Sequence, residues 1–391
     1  MRSFTALTEE IDDLETGVEE LAAQIAAGGE LAKNSCGIVF CDYDLDGEEL
    51  ARCLKKRFPF PVIGVTGAGV ITKERSFSDG AIALTVLTAD DCCFQPMLVE
   101  NDSVGGIEES YRCLPDNGAP ARVVFAFAAH HSCIDANAMM AAFDRLTGGL
   151  PVFGGWASDD WSFEYVGVLA DGGFYRDRVV YMRICGNVHP QMVVSRGSGE
   201  ISNFRKKVTK AEGRVVYELD GRGFVDVLQE VGLGTFGNEV ARNFLGTPFL
   251  VAKKTAGGDE FSVMRVLKTL DRETNSGIFL ADVPEDSEIS ITQLNHDEVV
   301  NTAQHAIDNL LANIEGNAGG AYSTVFCVTC AARYSLILPD KEAEARLFGG
   351  KLAGLNMMGF YSFGEFCPVG GRHSGKMYNA AHNETFALMA L

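Results

Sequence analysis

Apolar positions recur along this chain with two periods, and their alternation lays out the expected elements. Over residues 8–27, Ile11, Leu14, Val18, Leu21 and Ile25 fall on one helical stripe. Thr8 is placed to cap that helix, acids fill its first turn, and Gly28-Gly29 ends it. The stripe suits a helix packed on a sheet or a partner-binding helix. Gly37 to Cys41 reads as a short apolar strand, and Asp46 caps a helix to about Arg57 with Leu50, Leu54 and Phe58 inward. Pro59 and Pro61 frame the strand Val62 to Val65, which opens into Thr66-Gly67-Ala68-Gly69, and Ala81 to Leu87 is a further strand.

The same order then recurs. Val123 to Ala128 is a strand, Asp135 caps a helix carrying Met139, Met140, Phe143 and Leu146, and Pro151 to Phe153 is a strand opening into Gly154-Gly155. Tyr165 to Tyr181 reads as a hairpin turning at Asp171-Gly172. A looser third copy begins at Thr324 and runs strand, Cys-x-x-Arg turn, helix 340–352 and the aromatic strand ending at Gly364-Glu365. Between the second and third copies, a hairpin around Ala211-Glu212-Gly213, a helix over 223–231, strands at Ile278–Ala281 and Ile289–Leu294, and a helix capped by Asp297 are expected. The pattern predicts an α/β fold: layered mixed β-sheets flanked by helices, built from repeated strand–helix–strand–strand units. Val123–Ala128 and Thr324–Val328 are predicted to be central strands buried on both faces. A composition shift near Asp220-Gly221 divides the chain into an N-terminal helix (1–32), a first half (33–220) and a second half (221–391).

Composition narrows the function. Net charge is −20, from 33 basic and 53 acidic residues, a field that repels phosphate backbones and anionic lipid. Nucleic acid and membrane surfaces are therefore excluded as partners. Eleven cysteines are scattered, several inside apolar runs, which suits reduced thiols better than disulfides. The N-terminal stretch carries Glu9, Glu10, Asp12, Asp13 and Glu15, unlike a signal peptide, and no apolar run reaches the ~18–20 residues that span a bilayer. A cytoplasmic protein is expected.

The candidate chemistry sits at strand ends. Gly154-Gly155-Trp156-Ala157-Ser158-Asp159-Asp160 has paired glycines for close backbone approach, a tryptophan to wall a pocket, and aspartates for an ammonium group or a metal; the same run also suits a strand-to-loop turn with capping aspartates. Gly64, Gly67 and Gly69 match neither a dinucleotide fingerprint nor a P-loop. Cys327 and Cys330 form a lone Cys-x-x-Cys without a second pair, so no metal and no other cofactor is expected. Cys330 beside Arg333 suits a reactive thiol, or a small apolar residue closing a strand with Arg333 in an ion pair. Glu365 follows Gly364 at a strand end, and His382-Asn383 precedes the last strand; Cys330, His382 and Asn383 could mimic a papain-like grouping only with unusual geometry.

Phe326-Cys327-Val328-Thr329-Cys330-Ala331-Ala332-Arg333, then Gly359-Phe360-Tyr361-Ser362-Phe363-Gly364-Glu365, then His382-Asn383-Glu384-Thr385 together resemble the C-terminal half of the FIST family, the F-box and intracellular signal transduction proteins. Val62 to Gly69 and Leu150 to Asp160 resemble its N-terminal half, in the same order, and Lys210 matches a further family position. The resemblance covers roughly residue 33 to the end. It implies a small-molecule sensory module, with amino acids as suggested ligands, and signalling through a separate partner protein. On this reading Gly154, Gly155, Trp156, Asp159, Asp160, Cys330, Arg333, Tyr361, Glu365 and Asn383 line one cleft between the halves, with Arg333 clamping a carboxylate and Asp160 or Glu365 taking a cation. An enzyme using Cys330 as nucleophile or redox centre, and a scaffold without ligand, are the alternatives.

Overall fold

The computed structural model describes residues 1–100, 103–129, 134–195, 200–233, 244–255, 257–317, 320–352 and 354–391. Three six-stranded sheets share one strand order. The first runs Arg2–Thr8, Ile82–Ala89, Asn34–Asp42, Val62–Gly67, Val168–Ala170, Gly173–Tyr175. The second runs Cys92–Leu98, Val179–Gly186, Ala121–Ala128, Val152–Trp156, Glu365–Gly370, Met377–His382. The third runs Gln191–Val194, Phe386–Ala390, Thr324–Cys330, Asn356–Ser362, Val70–Thr72, Ser76–Ser78. The third and fourth strands of each are a parallel pair joined through helix: Gly47–Arg57, Ala136–Thr147, or Ala331–Ile337 with Ala345–Lys351. The expected repeat is present, and Val123–Ala128 and Thr324–Val328 are central and buried.

The last two strands of each sheet come from elsewhere in the chain. After Val62–Gly67 the hairpin Val70–Ser78 joins the third sheet, after Val152–Trp156 the hairpin Val168–Tyr175 joins the first, and after Asn356–Ser362 the hairpin Glu365–His382 joins the second. The exchange is cyclic, and each hairpin covers an edge that a neighbouring parallel pair would leave open. One apolar core fills the space between the sheets. At its centre Phe40 meets Phe127 edge-on at 5.6 Å and Phe326 at 6.4 Å, and Phe125 meets Phe326 at 5.0 Å.

An antiparallel eight-stranded sheet is inserted between Gln191–Val194 and the helix His296–Gly316, with its own apolar cluster. Asp220-Gly221 is a turn inside this sheet, between Val215–Leu219 and Arg222–Gly223. Fully buried Arg265 ties the insertion to the second sheet, donating to the carbonyl oxygens of Asp282 at 3.0 Å and Ala381 at 2.8 Å. No helix among the described residues is long and apolar enough to cross a membrane.

Several boundaries differ from expectation: the helix expected over 340–352 spans Ala345–Lys351 and the strand expected at Ile278–Ala281 spans Ser276–Phe279, and three further differences have a local reason. The first helix is Leu14–Gly28, capped by Asp13, because Arg2–Thr8 pairs with Ile82–Ala89 as an edge strand and holds Thr8 in it. Asn295, not Asp297, accepts the Glu298 N–H and caps His296–Gly316. The Cys-x-x-Arg segment is not a turn: a helix starts directly at Ala331, with Cys330 in the N-cap position.

Candidate functional site

A cleft of ≈ 730 Å³ opens at the ends of the parallel strands. One wall follows the strand Asn34–Asp42. Asp42 is buried and accepts the N–H groups of Asp44 and Gly80, each at 3.0 Å. Burial raises its carboxyl above the usual range, against the pull of those two N–H groups. Asp42 thus pins the strand end, while Tyr43 and the exposed Asp44 face the cleft. Burial, and then the charges of Asp160, Asp42, Asp44 and Asp159, raise the Tyr43 phenol.

The second wall is the loop after Val152–Trp156. Asp159 is fully buried and accepts from the Ser162 hydroxyl at 2.8 Å and from the N–H groups of Phe163, Glu164 and Tyr165 at 3.1, 2.9 and 3.1 Å. Four donors on one carboxylate wind the chain tightly enough to put Trp161 and Phe163 at φ 76° and 61°. Asp160 is left exposed, beside Trp161 on the cleft wall. The third wall is the helix Ala331–Ile337. Its Tyr334 stacks on Phe77 at 5.4 Å, and both rings rest on buried Tyr361. Lys341 pairs with Asp79 at 2.8 Å on the rim, a bond that raises the lysine and lowers the aspartate. Five carboxylates (Asp42, Asp44, Asp79, Asp159, Asp160) and one lysine line the cleft among the described residues.

The structure divides the residues named from the sequence instead of bringing them to this cleft. Asp159 and Asp160 line it. Gly154 and Gly155 serve strand packing: a Cβ on Gly154, at φ 147°, would fall inside the Ala126 carbonyl, and one on Gly155 would lie 2.7 Å from Gly364 O. Trp156 is buried edge-on against Phe366 at 4.5 Å. Tyr361 lies a layer beneath the cleft, its hydroxyl donating to Glu344 Oε2 at 3.4 Å. Asn383 is buried beside Trp156 in a separate small hollow.

Arg333 faces away from the cleft because it stands in the first turn of Ala331–Ile337 and points inward. Its Nε and Nη2 both donate to Glu344 Oε1, at 2.9 and 2.7 Å, and Nη2 also donates to Val299 O at 2.8 Å and Thr302 Oγ1 at 3.1 Å. Both partners of the ion pair are fully buried. With its guanidinium spent there, Arg333 does not activate Cys330. Burial, then Glu365 and Glu384, push the Cys330 thiol well up, so the thiolate that a nucleophile needs is suppressed. Glu365 pairs with hydroxyls rather than with Arg333: Ser362 Oγ donates at 2.8 Å and Thr385 Oγ1 at 2.7 Å. Burial raises its carboxyl to about 7. His382 is buried with Nε2 3.0 Å from Cys367 O, so no papain-like grouping forms.

Sequence reasoning missed Asp42, Tyr43, Asp44, Phe77, Asp79, Tyr334 and Lys341. A signal was present for the first three: Asp-Tyr-Asp follows the apolar strand Gly37–Cys41 directly, the place in its unit that Cys330 holds in the third.

An uncharacterized protein of Methanocaldococcus jannaschii is 37% identical over 73 residues, which are 19% of this chain and 14% of the relative. The FIST N domain matches residues 35–222 and the FIST C domain matches residues 225–368. FIST domains are associated with signal transduction and small-ligand sensing. With matches spanning both halves of the three-sheet body, the chain belongs to the FIST family.

Proposed function

We propose that this protein senses a small metabolite carrying an ammonium group, an amino acid or a compound like it, in the cleft between Asp42, Asp160 and Tyr334, and signals through a separate partner protein. The observation that carries this reading is the lining: five carboxylates and one lysine around ≈ 730 Å³, with Tyr43, Phe77, Trp161 and Tyr334 among the walls. A cleft of that size suits a small ligand, and carboxylates beside aromatic faces favour an organic cation. Asp79 is exposed too but paired with Lys341, so Asp44 and Asp160 are the exposed acids that meet the ammonium group. Lys341, already at the rim, supplies a counter-charge for a carboxylate at the other end of a zwitterion.

A thermal-shift screen with the common amino acids and simple diamines tests the proposal. A ligand at 100 times its dissociation constant adds ~2.7 kcal/mol to the folded state. Asp160→Asn, which leaves the Asp159 cap in place, should abolish the shift without lowering the melting temperature of the empty protein. If no ammonium compound shifts the protein, or if Asp44→Asn and Asp160→Asn bind as well as the parent, the reading fails.

A further inference from the structure

A second cavity, of ≈ 430 Å³, lies where the inserted sheet meets the helix Ala136–Thr147 and the strand Met377–His382. Lys253 lines it, from the strand Phe249–Lys254. Its amine donates to Asn137 Oδ1 at 2.7 Å. The guanidinium of buried Arg265 donates to the same amide oxygen at 3.3 Å. Two cationic groups therefore meet at one neutral acceptor, and among the described residues no carboxylate stands within ion-pair distance of Lys253. Every other face of the cavity is acidic, amide or apolar, including Asp144, Asp282, Phe261 and Met140.

We propose that Lys253 is a nucleophilic lysine that captures an uncharged small aldehyde or ketone in this cavity as an imine. An amine set beside a fixed guanidinium and withdrawn from water is one of the recognised ways to free a lysine lone pair near neutral pH. Burial, and then Arg265, hold the Lys253 amine well below its ordinary value, in keeping with that geometry. The lone pair attacks the carbonyl carbon and the C=O π pair moves onto oxygen. Both amine protons then leave with that oxygen as water, and C=N remains. Asn137 Nδ2 is buried with no hydrogen-bond partner, and so offers a donor to the carbonyl oxygen. Asp282, on the same cavity wall, is raised to about 6 by burial and then by Asp135, which suits it to relay the protons. The acids around the cavity disfavour a ligand with a carboxylate of its own.

Reductive trapping tests this in the unaltered protein. Butanal and sodium cyanoborohydride are added at pH 7, and butylation of each lysine is followed by peptide mass mapping. Lys253 should label at least tenfold faster than its exposed neighbour Lys254, and faster with butanal than with glyoxylate. Lys253→Arg, which keeps the donor to Asn137, should remove the fast label while Lys254 still reacts slowly. If Lys253 labels no faster than Lys254, the nucleophile is not there. If glyoxylate labels it faster than butanal, the ligand class is wrong. Because the competition uses the parent chain, it decides even if the variant does not fold.

Discussion

Asp42 and Cys330 hold the same place in two of the three units, yet their surroundings are opposite. Each ends the central strand of its sheet, and each donates its N–H to the carbonyl that precedes the returning strand: Asp42 to Ala81 O at 3.0 Å and Cys330 to Thr385 O at 3.1 Å. The residue before that return is left-handed in both, Gly80 at φ 65° and Glu384 at φ 54°. In the first unit a four-residue connection, 43–46, separates strand from helix, so Tyr43 and Asp44 stand in the open cleft. In the third unit the helix begins at Ala331 with no connection, so Arg333 turns into the interior and meets Glu344. The length of a connection, rather than the identity of the charges, decides which strand end becomes a ligand-accessible site and which becomes an internal brace.

The largest test of this contrast is Arg333→Ala. It leaves Glu344 buried without its partner, and such a loss costs ~3–5 kcal/mol. Urea unfolding should show that loss, whereas a variant of parental stability would overturn the role of internal brace. Next is Asp159→Ala, which strips a buried acceptor from the Ser162 hydroxyl and three N–H groups. A loss of about 1–3 kcal/mol is expected, together with loosening of the cleft wall, visible as faster amide exchange at Phe163, Glu164 and Tyr165.

The third test is pH. Glu365 is raised from 4.5 to about 7 and Glu384 is raised well above 4.5, both chiefly by burial. The folded state therefore holds protons that the unfolded chain gives up near its ordinary carboxyl range. For these two groups the stabilisation is complete below the unfolded pKa and is lost as pH rises toward the folded one. Urea midpoints should fall between about pH 5 and pH 7, and Glu365→Gln with Glu384→Gln should flatten that slope. An unchanged slope would mean that these carboxyls do not titrate in the window. The smallest effect on stability belongs to the cleft. Asp160→Asn and Lys341→Met touch exposed groups and should change stability by less than ~1 kcal/mol. A larger loss in either would place it among the internal braces and weaken its assignment to ligand binding.

Much of the architecture could be read from the chain because it rests on local patterns. The apolar runs at Val123–Ala128 and Thr324–Val328, the Asp46 and Asp135 caps, and the turn at Asp171-Gly172 each act within a few residues. The three-fold repeat followed from the order of those runs, and the family followed from five short motifs spread over both halves. The exchange of hairpins between sheets could not be read this way. Glu365–Gly370 pairs with Val152–Trp156 across some two hundred residues of sequence, and no spacing in either strand encodes its partner. The function of Gly154 was hidden for the same reason, since its close neighbour is the carbonyl of Ala126 on an adjacent strand. Sequence alone determined which residues end strands. Tertiary structure decided which of those ends face water, because burial is set by the element packed on top: the helix His296–Gly316 covers Arg333 through Val299 and Thr302, while Asp44 and Asp160 stay open.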